Sequence, residues 1–128
     1  MPKWLSQEWL DEQKKLAADQ PERPGATARM QYVLNRANDE PVKYYWVLED
    51  GKLTESTLGQ MDEPELTLIM SYDDAMKVQK GELDEQAAFM QGRIKVEGNM
   101  AKLMALMPIT SSPEYRALQD KIREITDY

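Results

Sequence analysis

The sequence contains no cysteine and no histidine. Without thiols there is neither a disulfide framework nor a thiolate nucleophile, which fits a reducing compartment. Without imidazole the chain lacks the commonest metal ligand and the one side chain that normally titrates near neutral pH, so no metal site and no cofactor is expected. No apolar run approaches the roughly 20 residues that span a membrane. The start, MPKWLSQEWLDEQKK, interleaves charge with apolar residues instead of showing the basic head and unbroken apolar stretch of a secretory signal. The end, ITDY, is not a peroxisomal address. A cytoplasmic, water-soluble protein is the expectation. Positive charge is also scarce, with 16 Lys and Arg against 23 Asp and Glu and a net charge of −7. Clustered cations are what displace counterions from nucleic acids and anionic bilayers, so no nucleic-acid partner is expected and membrane contact is at most transient.

The sequence also lacks a glycine-rich phosphate loop, a metal-ligand cluster and a serine elbow. Its adjacent carboxylates, Asp62-Glu63, Asp73-Asp74 and Asp84-Glu85, fall at expected turns or helix starts, where acids have local reasons to be. Adjacency along the chain does not bring two carboxylates to one cleft, as acid–base catalysis requires. No catalytic residue is assigned, and the protein is not read as an enzyme.

What is present suits one ordinary domain. At 128 residues the chain is long enough to bury about two-thirds of the surface it exposes when unfolded. Residues 3–19 read as a helix ended by QPERPG at 20–25, with Trp4 and Trp9 either docked on the fold or at a bilayer interface. Strands follow at 30–36 and 42–49. Asp50-Gly51 supplies the positive backbone angles of a tight hairpin turn into a third strand at 52–58. A fourth, 65–71, places Leu66, Leu68 and Met70 on one face. Ser71 caps a helix running to about Lys80, Asp84 caps a short one over 85–91, and Arg93 to Glu97 alternates as a half-exposed strand. The next helix carries Met100, Leu103, Met104 and Met107 at i, i+3, i+4 and i+7, with Pro108 marking its end. The last helix starts at Ser112-Pro113 and continues through Tyr115, Leu118, Ile122 and Ile125 at three- and four-residue spacing.

From Gly81 to Met100 the sequence GELDEQAAFMQGRIKVEGNM resembles the sterol carrier protein 2 (SCP2) domain, a family of lipid-binding and lipid-transfer modules. The matching pattern is a glycine, a Leu-Asp start, Ala88-Phe89, Gly92, a basic residue, an alternating strand and Gly98-Asn99-Met100. Looser similarity extends back to about residue 30. Members often carry proline where this chain has Glu85, a departure expected to affect helix initiation more than the pocket. The resemblance implies an α+β fold, with a five-stranded, mostly antiparallel sheet and helices packed on it around an apolar tunnel. Residues 1–25 would be an N-terminal helix and linker, and residues 26–128 the lipid-binding domain.

By position, the resemblance places Tyr44, Trp46, Phe89, Met90, Met100, Leu103, Met104 and Met107 on the tunnel wall, with Leu118 and Ile122 on a closing C-terminal helix. Spacing alone favours plain core for the methionine stripe, and only the resemblance brings the ligand wall level with it; for Phe89 core stays the favoured reading. The nine methionines supply flexible thioether stems that adapt to varied ligand shapes. Burying about fourteen methylenes at about 0.8 kcal/mol each yields about 11 kcal/mol gross, against association costs of about 4–15 kcal/mol. Chain burial alone therefore supports weak to moderate binding. Arg93, Lys95 and Lys102 are either solvated or placed to meet an anionic head group at the tunnel mouth. The expected function is a non-enzymatic carrier of fatty-acyl or sterol-like lipids. The alternative is an interaction or accessory module whose methionine-rich groove takes a partner helix, a second copy or an apolar substrate destined for an enzyme. Whether the chain is monomeric or dimeric is not legible.

Overall fold

The computed structural model describes residues 1–128. Its elements in chain order are α1 (Gln7–Ala17), β1 (Ala28–Arg36), β2 (Asp39–Glu49), β3 (Lys52–Leu58), β4 (Leu66–Ser71), α2 (Tyr72–Gln79), α3 (Glu85–Met90), β5 (Lys95–Gly98), α4 (Met100–Thr110) and α5 (Pro113–Ile125). The strands form one five-stranded sheet in the order β3-β2-β1-β4-β5. Every neighbouring pair is antiparallel except β1 and β4, which run parallel.

Period-two alternation builds the inner face. Ala28, Met30, Tyr32 and Leu34 of β1 are buried, as are Leu66, Leu68 and Met70 of β4. The β2–β3 hairpin turns at Asp50 and Gly51 with φ of 51° and 84°, the paired positive angles of a tight two-residue turn. Parallel pairing of β1 with β4 requires the chain to leave β3 at one edge and cross the sheet. Gln31, fully buried on the opposite face of β1, holds that crossing in place. Its Nε2 donates to the Tyr44 and Gly59 carbonyls, each at 3.0 Å, and its Oε1 accepts from the Met61 amide at 2.8 Å.

Capping sets every helix start. Ser6, Ser71, Asp84, Asn99 and Ser112 each accept a hydrogen bond from an amide in the first turn of α1, α2, α3, α4 and α5. Gly98 makes the entry to α4 possible. It has φ of 115°, and a Cβ there would collide with the Glu65 carbonyl oxygen, which instead accepts from the Asn99 amide at 2.9 Å.

Several boundaries differ from those the sequence suggests: β1 begins at Ala28, β2 already at Asp39, and three others have a structural cause. The first helix begins at Gln7, because Leu5 adopts φ of 66° and the Trp4 amide donates to the Asp127 carbonyl at 2.8 Å, tying the start of the chain to its end. Arg93 and Ile94 precede β5 rather than belonging to it, since both their amides donate to the Ala88 carbonyl at the end of α3. Pro108 does not end α4, which continues to Thr110. The proline itself is exposed, while Leu106 and Ile109 on either side of it are buried.

The inner face of the sheet and the helices share one core of 19 residues. Helix α1 is part of it: Trp9 and Leu10 are almost wholly buried, and Trp9 Nε1 donates to Thr126 Oγ1 at 2.9 Å. No helix is long and apolar enough to cross a membrane.

Candidate functional site

The aromatic residues on the sheet set the floor of the site. Strand register puts Tyr32 opposite Tyr44 and Met30 opposite Trp46. The Tyr32 and Tyr44 rings stack at 4.6 Å between centroids, and Trp46 meets Tyr32 edge-on at 5.0 Å. Above this floor the helices leave an apolar cavity of about 110 Å³. Met30, Tyr32, Trp46, Leu68 and Val96 line its sheet side. Its helical side is Ala17 of α1, Phe89 of α3, Leu103, Leu106 and Met107 of α4, and Leu118 and Ile122 of α5.

A second cavity of about 60 Å³ is bounded by Trp4, Leu34, Tyr44 and Met70. Gln13, Tyr32, Trp46, Glu85, Ile94, Tyr115 and Gln119 line both spaces and so form the partition between them. Neither cavity is lined by lysine or arginine.

Of the wall residues expected from the sequence, Trp46, Phe89, Leu103, Met107, Leu118 and Ile122 come together around the larger cavity, and Tyr44 lies on the smaller one. Met90, Met100 and Met104 line neither and face solvent, with exposures of 84%, 48% and 65%. Helix α4 is apolar almost all round, so several stripes at three- and four-residue spacing are equally hydrophobic and periodicity cannot choose among them. Packing chooses Leu103, Leu106, Met107 and Ile109. Met90 is the last residue of the six-residue α3, beyond the reach of Ala88 and Phe89 toward the core.

The cationic candidates are engaged elsewhere. Lys102 Nζ donates to the Thr27 carbonyl at 2.7 Å and pairs with Glu65 at 3.3 Å, while Arg93 pairs with Asp74 at 3.5 Å. Lys95 is exposed.

Glu85 is the residue that sequence reasoning misplaced. It begins α3, as expected of a first-turn acid, but it also lines both cavities. Burial raises its carboxyl above the ordinary value of 4.5, and the adjacent Asp84 raises it further. Burial likewise lifts the Tyr32, Tyr44 and Tyr115 phenols, with the negative charge of Glu85 adding to each. These three remain neutral hydroxyls at any physiological pH. Glu85 is the one carboxylate lining either cavity, and it has no imidazole or second carboxylate beside it in the lining. The arrangement offers apolar walls for hydrocarbon and a polar partition whose one carboxyl is Glu85, with no second carboxyl or imidazole in the lining to pair with it.

The family model described as the SCP-2 sterol transfer family matches residues 9–111. Sterol carrier protein 2 of Rattus norvegicus is 30% identical over 70 residues, which are 54% of this chain and 13% of the rat protein. The chain therefore spans about an eighth of that relative's length. Among solved structures, a crystal structure of sterol carrier protein 2 superposes with a TM-score of 0.73 at 14% identity, covering 95% of this chain and 98% of that one. The solution structure of a conserved hypothetical protein from Thermus thermophilus, described as possibly a sterol carrier protein, superposes at 0.66 with 15% identity, covering 98% and 92%.

Proposed function

The chain belongs to the SCP-2 sterol transfer family, and from that premise we propose that it is a non-enzymatic lipid carrier of the cytoplasm whose cavity holds the hydrocarbon of an apolar ligand. The observation that carries this reading is the cavity itself, walled by Trp46, Phe89, Leu103, Met107, Leu118 and Ile122. Tyr44 stands in the adjoining recess, and α5 acts as the closing helix. Unfilled apolar space in a protein interior forfeits dispersion contacts on every side, so an elongated hydrocarbon that restores them binds without any charged anchor. Met107 is only partly buried, and its flexible thioether stem lets the wall adjust to a longer ligand.

Native mass spectrometry of protein purified from cells, followed by solvent extraction, is expected to release a bound lipid. Titration with nile red, an uncharged solvatochromic dye, is expected to give a saturable blue shift. Reproducible absence of lipid together with no dye binding would sink the proposal.

A second reading is favoured by the outward methionines. Met100 and Met104 lie one turn apart on the exposed side of α4, an apolar surface suited to a partner helix or a second copy. Light scattering separates the two: a stable dimer lost on Met104→Glu, with no change in dye binding, favours the interaction module.

A further inference from the structure

Glu85 is the one charged side chain among the residues lining either cavity, and it lines both. The groups around its carboxyl come from several elements. Tyr32 of β1, Tyr44 of β2 and Tyr115 of α5 lie close enough to feel its charge, and Asp84 stands beside it at the cap of α3. Every other lining residue, from α1, α2, α4 and the sheet, is uncharged. No cation faces the carboxyl from within either lining. Burial is the main reason that the carboxyl holds its proton more tightly than usual, and no hydrogen bond opposes this. Glu85 nevertheless keeps part of its surface accessible.

A carboxylate that no protein donor holds depends on water for support, and hydrocarbon filling the space beside it takes that water away. The ionised form is then left in apolar surroundings without a counter-ion, whereas the protonated form carries no charge to strand. Loading therefore favours the protonated carboxyl. By linkage, the factor by which hydrocarbon strengthens proton binding is the factor by which the proton strengthens hydrocarbon binding.

We propose that the Glu85 carboxyl faces the cavities and couples their loading to uptake of one proton, so that the chain holds hydrocarbon more tightly in acid surroundings and releases it as pH rises. The proton comes from bulk solvent as the ligand enters and returns there as the ligand leaves. The inference rests on the lipid-carrier reading and gives that same site its regulation. A proline at this position, as members of the family often carry, has no proton to exchange.

The test is titration with nile red, whose own charge stays constant over the window, from about pH 5 to about pH 8. That window opens just above the ordinary carboxyl value of 4.5. The wild-type Kd is expected to rise about tenfold from the acid end to the alkaline end, nowhere more steeply than about tenfold per pH unit because one proton is involved. Glu85→Gln is expected to bind at every pH within about threefold of the wild type at the acid end, since the amide never ionises. Asp84→Asn keeps a side-chain acceptor for the Ala87 amide and removes the neighbouring charge, so its rise in Kd is expected at lower pH. It keeps the proposal testable if Glu85→Gln does not fold. A wild-type Kd that is flat across the window, a rise that persists in Glu85→Gln, or a rise unmoved in Asp84→Asn would each overturn the coupling while leaving the carrier intact. Failure of the dye to bind at any pH would instead remove the carrier reading, and the coupling with it.

Discussion

Glu85 shows how much a single side chain leaves to its surroundings. Along the chain it is an acid in the first turn of a helix behind an Asp cap, a placement that the helix dipole alone explains. Nothing local indicates that β1, β2 and α5 bring Tyr32, Tyr44 and Tyr115 around it. Because burial raises its carboxyl above the ordinary 4.5, the folded chain holds this proton to higher pH than the unfolded chain does. Its contribution to stability is therefore complete below about 4.5 and is lost as pH rises through the folded value. Glutamine cannot ionise and escapes that loss. Glu85→Gln is expected to raise the melting temperature at neutral pH, with the advantage shrinking toward zero on acidification below about pH 4.5. Thermal melts across that range read it directly. An advantage that grows toward acid pH would contradict the burial of the carboxyl. Asp84, by contrast, was legible as a cap from residue type and position, since capping is a local interaction.

Among the elements, strands and hairpin could be read from the sequence with little help, because their signals are short-range. Alternation identified the inward Leu66, Leu68 and Met70, and Asp50-Gly51 fixed the β2–β3 turn. Helix α4 was legible as a helix but not in its rotation. Its sequence is apolar on nearly every side, and only contact with the sheet and α5 decides that Leu106 is buried while Met104 is 65% exposed. Leu106→Ala is expected to cost about 2–5 kcal/mol, and Met104→Ala no more than about 0.5 kcal/mol. Urea denaturation at matched slope measures both. The reverse order would mean that the Met100 and Met104 stripe is the buried one. The start of α1 was misread for a related reason. Residues 3–5 have helical composition, but their backbone pairs with Asp127 at the far end of the chain, and that competition is invisible locally.

For the molecule as a whole, the cavity is the consequence of how α1, α4 and α5 sit over the aromatic floor, and its volume bears on both stability and binding. Ala17, 4% exposed, contributes to its lining from α1. Ala17→Leu places three further carbons in unfilled space, so it is expected to weaken nile red binding about tenfold while leaving the melting temperature unchanged or higher. Titration and calorimetry on the same preparation check both halves. A lower melting temperature with unchanged binding would show that the side chain is not accommodated by the cavity. The sequence by itself determined the set of elements, the hydrophobic alternation of the sheet, the caps at Ser71 and Asp84 and the resemblance that the family match bears out, because each depends on neighbours a few residues apart or on a contiguous motif. Tertiary structure alone decided which face of α4 turns inward, that the chain crosses behind the sheet over Gln31 to pair β4 parallel to β1, and that Gln13, Trp46 and Glu85 all line both cavities. Those outcomes depend on side chains separated by tens of residues competing for the same buried space, and no period or spacing along the chain records who wins.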